Sequence, residues 1–153
     1  MDATFYRRRL PHFRVDGAVY FVTWRVRRGQ QDLSEGERDC VVASIRHFAG
    51  TRYVLHAYVV MNDHVHVLVQ SNPGCQLQDI VSAWKSFTTN RLQREFGRLG
   101  MVWQDEYFDR ALRGEAECDQ KRDYILNNPR KRWPEVGAYR WCWAFGMDLS
   151  AAP

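Results

Sequence analysis

The sequence lacks the long apolar runs of a membrane protein. No stretch approaches the roughly 18 to 20 uninterrupted apolar residues that a membrane-spanning helix needs. After Met1 the chain soon reaches Arg7-Arg8-Arg9, with no apolar segment and small-residue cleavage site behind it, so a secretory signal is not expected. Internal repeats and low-complexity segments are also absent. We therefore expect a cytoplasmic protein with a non-repetitive fold.

Cysteine is scarce and dispersed. No two of the four cysteines have the two-residue spacing that is typical of metal ligands. A zinc site and a disulfide framework are both disfavoured, and we expect reduced thiols that serve mostly in packing. These residues are Cys40, Cys75, Cys118 and Cys142.

Basic residues only slightly outnumber acidic residues over the whole chain. Lys and Arg number 22 against 18 Asp and Glu, which gives a net charge of +4 and a pI near 9.0. The positive charge is nevertheless concentrated, because the first 28 residues hold seven arginines and two aspartates. This distribution favours contact with a polyanion.

The length and composition suit one folded domain. The chain has 153 residues, of which 45% are apolar and 26% charged, and these proportions exclude disorder of the whole chain. We expect a single domain over residues 1–153, with its core at about 16–133 and a loosely held tail at 144–153.

Apolar periodicity predicts strands and helices in alternation. Ser34, three residues before Glu37, forms a capping-box pattern that marks a helix start. Asn62-Asp63 separates two strand-like runs by two residues, which predicts a hairpin. The expected strands are 18–24, 52–61, 64–70 and 107–113, and the expected helices are 34–50, 77–96 and 116–128, the last ended by Pro129.

The order strand, helix, strand, strand, helix, strand is that of the ferredoxin-like split-βαβ fold, which belongs to the α+β class. It predicts an antiparallel sheet of four to five strands with helices on one face. The other face of the sheet would be left uncovered.

The third expected strand carries two histidines on one face. Side chains alternate along a strand, so His64 and His66 lie on the same side, about 7 Å apart along the chain, while the valines between and after them face the core. Five histidines in the chain make such a pair unremarkable by chance, but its position on the uncovered face favours a metal site. Oxygen donors from another element would favour Mg²⁺ or Mn²⁺.

The last expected helix places a phenol beside an amide. Tyr124 and Asn128 are four residues apart and therefore project from one helix face. Taken alone, this fragment is more typical of a buried tyrosine and of an asparagine that ends a helix before proline.

Five sequence blocks occur together in one order: YVVMNDHVH at 58–66, WKSF at 84–87, VWQ at 102–104, YFD at 107–109 and DYILNNP at 123–129. They resemble the REP-associated tyrosine transposases, domesticated relatives of the single-tyrosine HUH transposases of small insertion sequences. The resemblance runs from about residue 21 to residue 133 and implies the arrangement of sheet and helices expected above, with the HUH histidines on the face opposite the helices.

The resemblance also implies roles for individual residues. His64 and His66 would bind Mg²⁺ or Mn²⁺, Tyr124 would be the nucleophile, and Asn128 would be the third metal ligand, where many insertion-sequence relatives have Gln. The chain departs from the family after Pro129, where Arg-Lys-Arg-Trp replaces a Val-x-Ala-Gly-Leu-like turn.

The implied reaction is cleavage and strand transfer of single-stranded or hairpin DNA, including REP-like inverted repeats, through a 5′-phosphotyrosine. It implies a nucleoid-associated protein, and a monomer is favoured although a dimer stays open. Lys85 is the strongest candidate for DNA contact because it lies in a family block on the long helix. The other candidates are Arg7, Arg8, Arg9, Arg25, Arg27, Arg28, Arg91, Arg94, Arg130, Lys131 and Arg132.

Two other functions stay open. A non-catalytic hairpin-DNA-binding protein or repressor would keep the fold and the recognition of DNA without cleavage. A metal-dependent hydrolase of small phosphodiesters would need no tyrosine. The presence of both histidines, Tyr124 and Asn128 favours the transposase.

Overall fold

A computed structural model describes residues 3–6 and 17–147 of the chain. The described residues form one antiparallel sheet of six strands in the order β1-β5-β2-β4-β3-β6, with three helices. The elements are β1 Ala3–Tyr6, β2 Tyr20–Arg25, α1 Glu35–His47, β3 Tyr53–Val60, β4 His64–Ser71, α2 Leu77–Phe96, β5 Tyr107–Ala111, α3 Glu115–Arg132 and β6 Cys142–Ala144.

The expected fold class is confirmed, with a larger sheet than the sequence predicts. Two short edge strands, β1 and β6, extend the four central strands to six. β6 pairs with β3, and Ala144 within it is completely buried, so the sheet continues past the expected core boundary at residue 133. Residues 148–153 of the expected tail lie outside the described residues.

The main core lies between one face of the sheet and helices α1 and α2. Alternate residues of β2 and β4 point into it, among them Trp24 and Val67, which are almost fully buried. Trp24 stacks on Trp84 of α2 at 5.5 Å, and the indole N–H of Trp84 donates to the hydroxyl of Tyr53 at 3.0 Å. The valines of β4 therefore face this core, and the residues that alternate with them point to the opposite face of the sheet.

A tight hairpin and a capped helix confirm two sequence signals. The N–H of Met61 donates to the carbonyl of His64 at 2.8 Å, which closes the two-residue hairpin between β3 and β4. At the start of α1 the Ser34 hydroxyl accepts from the N–H of Glu37 at 3.2 Å, and the Glu37 carboxylate accepts from the N–H of Ser34 at 2.9 Å.

Glu37 also forms a buried ion pair with Arg98, whose Nε lies 2.6 Å from a carboxylate oxygen. Burial by itself raises the pKa of Glu37, but the hydrogen bonds to Arg98 and Ser34 outweigh it and hold that pKa below its ordinary value. The carboxylate therefore ties the segment after α2 to the start of α1.

Helix α3 lies on the second face of the sheet, which the sequence analysis left uncovered. Its buried Ile125 packs against Phe21, Val59 and Leu68 of the strands. Apolar periodicity could not predict this contact, because α3 has few apolar residues and a single buried isoleucine forms no helical stripe.

The prediction that this helix ends before Pro129 is wrong, since α3 continues through the proline to Arg132. A proline inside a helix removes the N–H that would bond to the carbonyl four residues earlier, here that of Ile125. The thiol of Cys142 in β6 donates to this carbonyl at 3.6 Å. Strand β6 thus compensates for the proline and supports the end of α3.

The remaining structural expectations concern cysteines and membrane helices. All four cysteines are free thiols, as expected. Burial raises the pKa of the Cys142 thiol to about 12, so it stays protonated and able to donate. Within residues 3–6 and 17–147, no helix has the length and apolar content to cross a bilayer.

Candidate active site

Two histidines share one face of β4, opposite the main core. The rings of His64 and His66 lie 4.7 Å apart at 73°. His66 is buried, and the ring of Phe21 in β2 stacks on it at 5.1 Å and 23°. The alternation of β4 and the packing of its valines place both imidazoles together, as the sequence predicts.

Each imidazole is held through its Nδ1 atom. The Nδ1 of His66 is 2.7 Å from the hydroxyl oxygen of Thr23, which faces it directly across the β2–β4 ladder. The Nδ1 of His64 donates to the carboxylate of Asp63 at 2.7 Å. When Nδ1 donates a proton in this way, the lone pair of Nε2 is left for another ligand.

His66 is kept neutral by its surroundings. Burial lowers the pKa of His66 to about 3, and electrostatic interactions with His64, Arg25 and Lys121 act in the same direction. A neutral imidazole is the form that binds a metal ion, so this ring is ready to act as a ligand throughout the physiological pH range.

Helix α3 places Tyr124 beside His66 and carries Asn128 one turn later. The ring of Tyr124 lies 5.4 Å from that of His66 and 6.0 Å from that of Phe21, and Tyr124 is 40% exposed. One turn later, Asn128 is 8% exposed. Its side-chain oxygen is buried and has no hydrogen-bond partner among the described residues.

These groups form a donor set that fits a divalent cation. A buried amide oxygen without a partner is costly, and a bound cation would satisfy it. Two imidazole nitrogens and this oxygen leave further positions for phosphate oxygens or water, which suits Mg²⁺ or Mn²⁺. In the described part of the chain, no three His, Cys, Asp or Glu side chains gather as an alternative metal cluster.

Several residues of the site were missed by the sequence analysis. Thr23 reaches it through strand register, Phe21 through ring stacking and Asp63 through the hairpin. Lys121 is three residues before Tyr124 on α3, and its ammonium lies 5.6 Å from the centre of the tyrosine ring. The helical spacing from Tyr124 is the one signal that could have indicated Lys121.

The candidate DNA-binding residues fall into different environments. Arg25 is exposed and faces His64 in the β2–β4 register, and the Lys131 ammonium lies 5.8 Å from the ring of Tyr124. Lys85 donates to the carbonyls of Gln104 and Asp105 at 2.6 and 3.2 Å, so its ammonium anchors that segment.

Among the other candidates, Arg91 pairs with Glu95 at 2.6 Å. Arg27, Arg28, Arg94, Arg130 and Arg132 are exposed. Arg7, Arg8 and Arg9 lie outside the described residues.

Comparison with known proteins gives a family and a fold. The family described as "Transposase IS200 like" matches residues 17–128. A search of curated proteins found no significant match.

Two solved structures are similar to this chain. One is a REP-associated tyrosine transposase bound to a REP hairpin, with 19% identity and a TM-score of 0.72 over 96% of this chain and 98% of that one. The other is a Deinococcus radiodurans R1 protein assigned as a transposase, with 25% identity and a TM-score of 0.55 over 78% of this chain and 96% of that one.

Proposed function

Because the chain belongs to the IS200-like transposase family, whose members cleave and rejoin DNA, we propose that it is a metal-dependent single-stranded DNA endonuclease and strand transferase. The observation that carries this proposal is the position of Tyr124, whose ring lies 5.4 Å from that of His66 in the same chain. A nucleophile beside a pair of potential metal ligands is the arrangement that phosphodiester cleavage through a covalent intermediate requires.

We assign the cation to Nε2 of His64, Nε2 of His66 and the side-chain oxygen of Asn128. The hydrogen bonds between the Nδ1 atoms and the side chains of Thr23 and Asp63, and the unpartnered oxygen of Asn128, support the assignment. When bound, Mg²⁺ or Mn²⁺ would neutralise charge on the phosphate oxygens and stabilise the departing 3′ oxygen.

Tyr124 is the proposed nucleophile. A phenol is a poor nucleophile at neutral pH unless the phosphate charge is neutralised. Attack forms a bond between the phenolic oxygen and phosphorus and breaks the bond to the 3′ oxygen. The products are a 5′-phosphotyrosine and a free 3′-OH, so the proton lost by the phenol is balanced by the proton gained at the 3′ oxygen.

Rejoining follows from the same chemistry in reverse. The phosphotyrosine linkage conserves the energy of the original phosphodiester, so a 3′-OH can attack it and release Tyr124 without ATP. Tyr124 is 40% exposed, which leaves room for a DNA strand to approach its hydroxyl group.

Hairpin DNA is the proposed substrate, and REP-like inverted repeats are the proposed class. The similar solved structure of a REP-associated transposase is bound to a REP hairpin, which supports this choice for the present chain. We propose that Arg25 and the basic end of α3, Arg130 to Arg132, lie along the DNA, because they flank the site and are exposed. A cytoplasmic, nucleoid-associated location belongs to the same proposal.

The chain is proposed to act as a monomer, with Tyr124 serving the histidines of its own sheet. The contacts of Tyr124 with Phe21 and His66 within one chain support this arrangement.

The proposal is tested with a hairpin oligonucleotide that carries single-stranded flanks. The oligonucleotide is built from an inverted repeat that flanks the gene. In Mg²⁺ or Mn²⁺ we expect a protein–DNA adduct that resists denaturation, and EDTA should abolish it. Binding that is unaffected by EDTA, with no cleavage of any hairpin tried, would instead indicate a non-catalytic DNA-binding protein.

A further inference from the structure

Lys121 places a positive charge inside the candidate active site. It lies on α3 one turn before Tyr124 and is partly buried. Its ammonium is 4.8 Å from the ring centre of Phe21 and 5.6 Å from that of Tyr124. Contacts with two ring faces hold an ammonium group by cation–π attraction.

The position of this ammonium is tied to the histidines. Phe21, over which it lies, stacks on His66 at 5.1 Å. Lys131 also approaches the Tyr124 ring, at 5.8 Å, but it is exposed on the last turn of α3. Of these two lysines, Lys121 is therefore the one that is partly buried, with its ammonium against the rings of the site.

No carboxylate neutralises Lys121 among the described residues. Glu117, one turn earlier on α3, is engaged by Arg110 at 3.0 Å instead. A partly desolvated ammonium without a counter-ion favours an anionic ligand, and the anion next to it in the proposed reaction is the phosphodiester that Tyr124 attacks.

We propose that Lys121 is a catalytic residue whose ammonium binds a non-bridging oxygen of the scissile phosphate. This inference rests on the proposed function and adds a protein-borne cation to it. The ammonium donates a hydrogen bond to the phosphate oxygen while the bond from Tyr124 to phosphorus forms and the bond to the 3′ oxygen breaks. Lys121 keeps its own proton throughout and stabilises negative charge on the phosphate in the transition state.

The first test measures binding, which does not depend on turnover. The linkage that the wild-type protein cleaves in the flanking hairpin oligonucleotide is mapped, then made either as the phosphodiester or as an uncharged methylphosphonate. In a Tyr124→Phe background, Lys121→Met should weaken binding of the phosphodiester about tenfold and binding of the methylphosphonate less than about twofold, because only the first has the charge to lose.

The second test measures the rate of adduct formation with Tyr124 present. Lys121→Met should slow it on the order of 100-fold, and Lys121→Arg should restore most of the rate because it restores the charge. Arg122→Met is the matched control. It removes one charge from the adjacent position of α3, where the exposed guanidinium donates to the carbonyl of Phe145 at 3.4 Å.

The outcomes separate this inference from the proposed function. Equal weakening of both linkages by Lys121→Met, or a loss no larger than that of Arg122→Met, would overturn the role of Lys121 while wild-type adduct formation still supported the transposase. Absence of the adduct in the wild-type protein would overturn both.

Discussion

Thr23 and His66 face each other across the β2–β4 ladder and are joined side chain to side chain by a hydrogen bond of 2.7 Å. Phe21, two residues earlier in β2, stacks on the same imidazole. One strand therefore fixes the plane of the His66 ring and holds its Nδ1 atom.

Loss of the Thr23 hydroxyl should weaken metal binding. Thr23→Val keeps the shape of the side chain but removes the hydrogen-bond partner of Nδ1, so the ring of His66 is held less firmly. We expect Mn²⁺ affinity to fall about 10- to 100-fold, as for other residues that orient metal ligands. Titration calorimetry or Mn²⁺ electron paramagnetic resonance would measure it.

Thr23→Ser is the control for this change, because it retains the hydroxyl. Unchanged Mn²⁺ affinity in Thr23→Val would mean that the hydrogen bond has no part in orienting His66 towards a cation.

Replacing Asn128 should weaken metal binding but leave the stability of the fold almost unchanged. Its buried oxygen lacks a partner in the described part of the chain, so the folded apoprotein gains little from it. We expect Asn128→Ala to lower Mn²⁺ affinity at least about tenfold and to change the free energy of unfolding by less than about 1 kcal/mol. Urea denaturation in EDTA and Mn²⁺ titration would give the two quantities.

A loss of several kcal/mol in Asn128→Ala, with Mn²⁺ affinity retained, would contradict the assignment of Asn128 as a ligand. It would instead show a residue that serves the packing of α3.

The buried ion pair of Glu37 and Arg98 should make stability depend on pH. The pKa of Glu37 is lowered in the folded protein, so its contribution is fully present above the unfolded pKa, about 4.3, and is lost as pH falls through the lower folded value. Glu37→Gln keeps a capping-box side chain but loses the charge.

At pH 7 we expect Glu37→Gln to reduce the free energy of unfolding by roughly 1.5 to 3 kcal/mol. The difference from the wild type should shrink as the pH falls below about 4.3. Urea denaturation across this range measures it, and a difference independent of pH would show that charge is not its source.

The sequence was sufficient to predict the four central strands, the three helices and the local pairing of the candidate site residues. Alternation in β4 placed His64 and His66 on one face, and helical spacing placed Tyr124 beside Asn128, because both relationships are local. The contribution of Thr23 depends on strand register, and that of Phe21 on packing, and neither can be read from short-range spacing. The predicted end of α3 at Pro129 was wrong because the thiol of Cys142, which compensates for the proline, comes from a later strand.

A mixture of two inactive variants should distinguish action within one chain from exchange of α3 between chains. Since Tyr124 contacts His66 of its own chain, His66→Ala mixed with Tyr124→Phe should form no adduct with the hairpin oligonucleotide. Recovery of adduct in the mixture, detected by denaturing gel electrophoresis, would instead show a dimer in which each chain supplies one half of the site.

The central claim, that Tyr124 becomes covalently attached to DNA, is tested most directly by locating the adduct. The wild-type protein is incubated with the flanking hairpin oligonucleotide and Mn²⁺, denatured, digested with protease and nuclease, and analysed by mass spectrometry. We predict a nucleotide linked through its 5′ phosphate to Tyr124, and no adduct in Tyr124→Phe although that variant still binds the hairpin. An adduct that persists in Tyr124→Phe, or that maps to another residue, would contradict the account.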